Sequence, residues 1–460
     1  MSSALLHPVD LEPSLLGAGT YSTRRRQARV DAAALLSVMV GLLYCLPVQL
    51  IVPEMTYAGR PALLVAFALS CWWLLTRLGP RLVMQGPQPM RWVVFVYIVS
   101  ILLSYLAGVQ RGLPYLEAHA QDFTMVVTFE FFGVVLMAAD GIPNWQRLQG
   151  ILRVFVWSAA FVAVVGLTQS TFKYNIAEHI TLPGLQFKSH LADFQPRGNG
   201  GLFRVAGTTT HYIEFSTVMA MAVPFAVHIA KFGPNKRARV AAAVSGLLMA
   251  AVIPMAISRT GVLALAVAVA VMFVLAWDWR TRYNMLIFGT TIVAALVAAR
   301  PGLLGTLMRL FVLADEDPSI TGRTDDYAQV GAWFAQRPWL GRGPGTLIPD
   351  VYIILDNQWL YTLVTGGILG IIALAALHIA GITLAGIALR RSSRAEDRHL
   401  CAALISVQVV SIVVSGTFDS LSFTTFSFTV ALACGLSGAV WRLTHPQRFV
   451  RTSTVRWWME

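Results

Sequence analysis

The chain is a succession of apolar stretches, each close to the length of a membrane span, joined mostly by short polar links, and that spacing leaves few folds open. A helix needs about 20 apolar residues to cross roughly 30 Å of hydrocarbon. With 56% hydrophobic and 13% charged residues in 460, there is too little polar surface for a soluble protein of this size. The expected fold is an all-α integral membrane protein. Its spans, about twelve in number, are expected near residues 31–51, 61–77, 92–108, 122–139, 151–168, 211–230, 239–257, 261–277, 283–299, 358–389, 399–416 and 423–441. The tenth is longer than a bilayer requires and is expected to tilt or project. Residues 1–30 read as an N-terminal tail, 31–442 as the polytopic domain and 443–460 as a C-terminal tail.

Charge orients this array. Of the 35 lysines and arginines, 23 fall on the side of the N-terminus and 12 on the other. The positive-inside rule then puts both termini in the cytoplasm, and the cluster Arg24, Arg25, Arg26 and Arg29 before a full span reads as a signal anchor. The protein is expected in the plasma (inner) membrane. The net charge of +12 falls mainly to anionic phospholipids, with Arg390, Arg391, Arg394 and Arg398 as a juxtamembrane cluster, rather than to nucleic acid. Cys45, Cys71, Cys401 and Cys434 all lie in apolar segments and read as core residues.

Two large loops, 169–210 and the larger 300–357 between the ninth and tenth spans, are thereby extracytoplasmic, and nine of the twelve outer basic residues sit in them. Loops this long are functional or disordered more often than mere connections. Positive charge kept on the translocated face suits an anionic ligand, although long loops also cross regardless of charge.

Three motifs narrow the reading. "FRVAGTTTHYIEF" leads into the sixth span with His211 and Glu214 on one helical face. "AISRTG" sets Arg259 at the outer end of the seventh span, with Thr260 and Gly261 expected to reverse the chain. "GRTDDYAQVGAWFAQRPWLGRGPG" opens with Arg323 and is followed by Asp356 and Asn357 just before the tenth span. Plainer roles are open to each. Arg259 could snorkel from a helix end, Arg323 could be a solvated charge, and Asp356 could cap the tenth span. Asp325 and Asp326 suit a first helical turn, and Glu130 suits a buried structural partner. His228 and His378 read as bundle histidines, and Trp339 and Trp359 as interfacial anchors.

The combination resembles the O-antigen ligase and polysaccharide polymerase superfamily, most densely over residues 204–370. Arg204, Ser258 with Arg259, Gly322 with Arg323, Trp333 and the glycine turn Pro338–Gly345 carry it. Asp356 stands where the family has His, which favours a polymerase or a ligase with an unusual acceptor. The resemblance implies an inverting glycosyltransferase that takes a glycan from an undecaprenyl-pyrophosphate carrier and passes it to an acceptor hydroxyl. It also implies no cofactor and no metal, consistent with scattered histidines. Guanidinium forks suit the pyrophosphate, so Arg259 and Arg323 are expected to be catalytic with Asp356 as base, and Glu214 or His211 as rival bases. Arg204, His211, Glu214, Asn357 and Arg342 are expected to bind substrate. Two rivals share the size: a transporter or lipid-linked oligosaccharide flippase, and a peptidoglycan glycosyltransferase. The former commonly shows two related halves, and no internal repeat is found here.

The orientation is testable by reporter fusions. Fusions after Gly200 or Asp317 should report the outer side, and fusions after Lys236 or Ser393 the cytoplasm. A cytoplasmic Asp317 would remove the basis for assigning the site to the outer face.

Overall fold

The computed structural model describes residues 31–55, 59–78, 87–188, 196–197, 202–276, 278–299, 318–349 and 351–445. The N-terminal tail, most of the C-terminal tail, residues 300–317 and the side chains of Arg323, Asp325 and Asp326 lie outside that description. The helices are α1 Ala32–Cys45, α2 Pro61–Leu78, α3 Pro89–Gln110, α4 Tyr115–Gly141, α5 Trp145–Phe172, α6 Tyr212–Phe232, α7 Lys236–Val252, α8 Arg259–Leu275, α9 Trp279–Ala299, α10 Pro318–Gln336, α11 Gln358–Arg391, α12 Ala395–Val414 and α13 Thr424–Leu443. Each expected span overlaps a helix, and α10 is an additional helix within the larger loop. Eight of them (α3 to α7 and α11 to α13, with α7 counted through to Ala256) are long and apolar enough to cross a membrane, whereas α1, α2 and α8 are shorter apolar helices.

Burial ranks the helices. The apolar window of α13 is 94% buried and that of α6 is 83% buried, against 33% for α3, so α13 and α6 form the centre and α3 the rim. The outer face of α3 presents Trp92, Phe95, Val96 and Leu106, as a lipid-facing stripe should. Small residues let the central helices close up: a Cβ at Gly435 or Gly438 of α13 would come within 3 Å of Ala138 or Ala139 on α4.

The short links at the end that carries the long loops are stitched together. Leu50–Ile51 (β1) pairs antiparallel with Gln186–Phe187 (β2), and Pro196–Arg197 (β3) with Leu202–Phe203 (β4). The reversal before α8 is made by the 3-10 turn Pro254–Ala256 and by Ile257, so Thr260 and Gly261, expected to form that reversal, lie in the helix instead. Gly261 is needed there for contact, since a Cβ would meet Ser216 of α6 at 2.3 Å.

The tenth expected span is two helices. Gly367 has φ 65° and ψ −162°, which breaks α11 ten residues after its cap Asn357, so the excess length comes from a break and not from tilt alone. A break in a membrane frees backbone groups that lipid cannot satisfy. The glycine turn of the larger loop satisfies them. Arg342 N donates to Val364 O at 2.9 Å and Gly343 N to Thr365 O at 3.0 Å, while Ile368 N donates to Pro338 O at 2.9 Å and Leu369 N to Trp339 O at 3.2 Å. The two backbones are so close that a Cβ on Gly367 would sit 2.4 Å from the Trp339 carbonyl carbon, and one on Gly341 (φ 68°) would sit 2.4 Å from Thr365 backbone atoms.

Gly367→Ala should therefore destabilise the purified protein by about 2 kcal/mol or more, because both the left-handed backbone and the contact oppose a side chain. Gly331→Ala, in open space on α10, should leave the melting temperature unchanged or slightly raised. Equal melting temperatures for the two variants would contradict the welded break.

Candidate active site

A cavity of about 380 Å³ opens among α2, α3, α4, α11 and α13. Tyr97, Phe131, Phe132 and Leu63 line it with apolar surface, and Ser100, Thr128, Thr362 and Thr424 add hydroxyls. Its charged lining residues are two cations, Arg60 and Lys188, with no carboxylate among the residues that line it. Arg60 stands just before α2 and donates to Thr424 Oγ1. Burial pulls its pKa down, and the nearby carboxylates of Glu214 and Glu130 oppose that pull. Lys188 is lowered by burial and then by the charge of Arg60. The cavity thus presents two cations on its lining, with the carboxylates of Glu214 and Glu130 acting on Arg60 from outside that lining. Neither Arg60 nor Lys188 belongs to the motifs that marked the candidate site in the sequence.

The start of α13 gathers the first group of expected site residues. His211, the N-cap of α6, holds its ring 4.0 Å from that of Tyr212 and 5.7 Å from that of Phe423. Arg204 lies over the other aromatic neighbour, its guanidinium carbon 4.1 Å from the Tyr212 ring centre, and its buried Nε has no hydrogen-bond partner among the described residues. Glu214 is fully buried. Its Oε1 accepts from Thr425 N at 2.7 Å and Phe426 N at 3.2 Å, and its Oε2 from Thr210 N at 2.9 Å. Phe423, Thr424 and Thr425 thus contact His211, Arg60 and Glu214 in turn. The sequence placed His211 and Glu214 together as substrate ligands, but the carboxylate is occupied in tying the starts of α6 and α13.

Arg259 opens α8 behind the N-cap Ser258, whose Oγ accepts from Gly261 N at 3.3 Å. Ile257, immediately before, is a buried β-branched residue at φ 50° and ψ 48°, a strained backbone state that surrounding packing must impose. A guanidinium in the first turn also meets the positive end of the helix dipole.

The second group sits where α11 begins. Asn357 is the N-cap, its Oδ1 accepting from Trp359 N at 2.9 Å and Leu360 N at 3.1 Å and its Nδ2 donating to Gly416 O at 3.2 Å. The capping role open to Asp356 is therefore filled by its neighbour. Gln358, which lines the cavity, donates its N–H to Ser415 O at 2.8 Å and Phe418 O at 3.1 Å and accepts from Leu421 N at 2.8 Å. This pins the Ser415–Phe423 turn to α11 and brings in a carboxylate that the motifs did not indicate. Asp419 is pushed up to about 7 by burial above all, with the charge of Asp356 adding to the rise and a hydrogen bond from Ser422 opposing it.

Arg342, expected to bind substrate, is 9% exposed and stacks over Trp333 and Tyr352. Its Nη2 donates to the Tyr352 hydroxyl at 3.0 Å, and that hydroxyl donates to Glu117, the partner of Arg111. This chain of contacts fastens the larger loop to α4. Arg323 lies on α10, with its side chain outside the described residues. His378 Nδ1 meets Gln408 Oε1 at 3.0 Å and a His228 nitrogen meets Gln149 at 2.8 Å, in line with bundle histidines. Among the described residues no group of three or more His, Cys, Asp or Glu is arranged to hold a metal ion.

The described bundle thus holds a cavity with a cationic and apolar lining. The family profile described as O-Antigen ligase matches residues 244–375, spanning Arg259, the larger loop, Asp356 and the broken helix. That match, to less than a third of the chain, supports the O-antigen ligase superfamily, whose members imply a membrane glycosyltransferase of the ligase or polymerase type with a lipid-linked glycan donor and a glycan acceptor. No curated protein matches the chain closely enough to count as a relative.

Glu214→Ala would leave three buried N–H groups without an acceptor and should lower stability by about 3 kcal/mol. The melting temperature should fall together with activity. A stable but inactive variant would return Glu214 to the chemistry.

Proposed function

We propose that the protein moves a glycan from an undecaprenyl-pyrophosphate carrier to an acceptor hydroxyl on the extracytoplasmic face of the inner membrane, in polymerisation or ligation of cell-surface polysaccharide. The observation that carries this reading is the cavity: two cations and no carboxylate at its polar side, an aromatic floor below, and Gln358 in its wall, two residues from Asp356. A lipid pyrophosphate has matching halves. Arg60 and Lys188 attract the phosphates while the apolar lining takes the first lipid units, and we assign Arg259, Arg323 and Arg204 to the pyrophosphate as planar forks on the strength of the family motifs.

The chemistry is a single displacement with inversion. Asp356 accepts the proton of the acceptor hydroxyl, its oxygen attacks the anomeric carbon, and the electron pair of the breaking bond leaves on the phosphate, where guanidinium groups stabilise the growing charge. No metal step is required. A broken helix also occurs in transporters, but here the break is filled by the loop backbone rather than left open to a substrate, which favours the enzyme.

Arg259→Lys and Arg323→Lys should keep the fold and lose on the order of 2 to 4 kcal/mol of transition-state stabilisation. Asp356→Asn should abolish transfer while retaining donor binding and melting temperature, since Asn357 supplies the cap. The measurement is release of glycan from a purified undecaprenyl-pyrophosphate oligosaccharide. Full turnover by Asp356→Asn would remove the base assignment, and full turnover by the arginine variants would reduce them to anchors.

A further inference from the structure

The cavity lies where α2 and α13 begin, and at the other end of the same helices the close of α2, the start of α3 and the close of α4 meet on one carboxylate. Asp140, in the last turn of α4, accepts from Arg91 Nε at 2.9 Å, Arg91 Nη2 at 2.9 Å and Trp73 Nε1 at 3.0 Å, and also from Arg77. Its side chain is 4% exposed, against 30% for Arg77 and 24% for Arg91, so an incoming group reaches the guanidiniums and not the carboxylate. One negative charge thus offsets two positive ones. Arg442 of α13 brings a third guanidinium to the neighbouring backbone, its Nε donating to Ala139 O at 3.1 Å and its Nη2 to Ile142 O. Those partners are carbonyls at the end of α4, which take up hydrogen bonds but carry only the partial charge of a helix terminus.

Beside these charges the helix surfaces are apolar. Leu74 is exposed one turn before Arg77 on α2 and Phe95 one turn after Arg91 on α3, with Leu75, Trp92 and Val96 exposed next to them. The Arg77 guanidinium carbon lies 4.5 Å from the Trp73 ring centre, which holds the fork at the helix end. α2 and α3 each pack on α4 more extensively than on each other, so they converge at Asp140 without closing on one another. We propose that this end of the bundle binds an anionic phospholipid, its phosphate held by Arg77 and Arg91 with Arg442 adding to the field, and its acyl chains laid along the exposed faces of α2 and α3. Guanidinium forks match phosphate oxygens, and basic pockets between helices at the cytoplasmic face take lipid headgroups in this way. By the charge bias that orients the chain, this end faces the cytoplasm. A zwitterionic lipid brings its own cation and leaves the excess charge uncompensated, so the site selects a headgroup of net negative charge. It lies apart from the cavity and does not depend on the reaction assigned there.

The test is the melting temperature and native mass spectrum of the full-length, detergent-purified protein titrated with phosphatidylglycerol, phosphatidylcholine or inorganic phosphate. Phosphatidylglycerol should raise the melting temperature and remain bound as a discrete adduct, and phosphatidylcholine at the same concentration should do neither. Inorganic phosphate should leave the melting temperature unchanged; equal protection by it would make this a site for free phosphate and overturn the lipid assignment. Arg77→Gln should weaken phosphatidylglycerol binding about tenfold, the usual worth of one hydrogen bond to a charged group, whereas Arg394→Gln, in the separate basic cluster after α11, should not. Equal losses in the two variants, or a loss in neither, would mean diffuse attraction to the whole basic face and would overturn the site. If Arg77→Gln does not fold, Arg77→Lys decides: it keeps a positive charge opposite Asp140 but not the planar fork, and should bind the lipid about threefold or more weakly. Undiminished binding by Arg77→Lys, or a wild type that responds alike to phosphatidylglycerol and phosphatidylcholine, overturns the proposal equally.

Discussion

The structure depends on one requirement, that backbone N–H and C=O groups within a membrane find partners inside the protein. Where α11 breaks at Gly367, carbonyls before the break and amides after it would face lipid unpaired, at several kcal/mol each. The glycine turn of the larger loop answers them with its own backbone, donating at Arg342 and Gly343 and accepting at Pro338 and Trp339. The loop is consequently part of the bundle and not a cap laid over it. The same requirement explains Asn357 at the start of α11 and Glu214 at the start of α13, whose oxygens take up amides that no preceding turn can satisfy.

That economy has a consequence for chemistry. With capping assigned to Asn357 and Glu214 and loop anchoring to Arg342, the polar groups left at this end of the bundle are the ones with electrostatic cost. Arg60 and Lys188 share a cavity without a lining carboxylate, and Arg259 opens a helix behind a strained Ile257. The anionic donor proposed above would meet positive charge at both places.

The turn between α12 and α13, with the first residues of α13, joins the two groups of candidate site residues. Residues 415–425 contact Asn357 and Gln358 on one side and His211, Glu214 and Arg60 on the other, so segments more than 300 residues apart in the chain, Arg60 and Thr424, meet there. The density of small and hydroxyl residues along α13 lets this segment pass through the middle of the bundle, where its apolar window is 94% buried.

What the sequence by itself determined is what local composition controls. Apolar length set the positions of the helices, because a span's burial in lipid is decided by its own residues, and the family motifs marked Arg204, Arg259 and the loop. The jobs of individual polar side chains were decided only in three dimensions. Asp356 and Asn357 are neighbours of equal capping propensity, and only the geometry at the start of α11 shows that Asn357 takes the amides. Glu214 and Arg342 carry the right charge for a site but have partners on other helices. Arg60 belongs to no motif and acquires meaning from its contact with Thr424, more than 300 residues away, and the break in α11 shows in the sequence only as a pair of glycines. Helix formation in a membrane is a local free-energy decision, whereas a charge has a role only through the groups that the tertiary fold sets beside it.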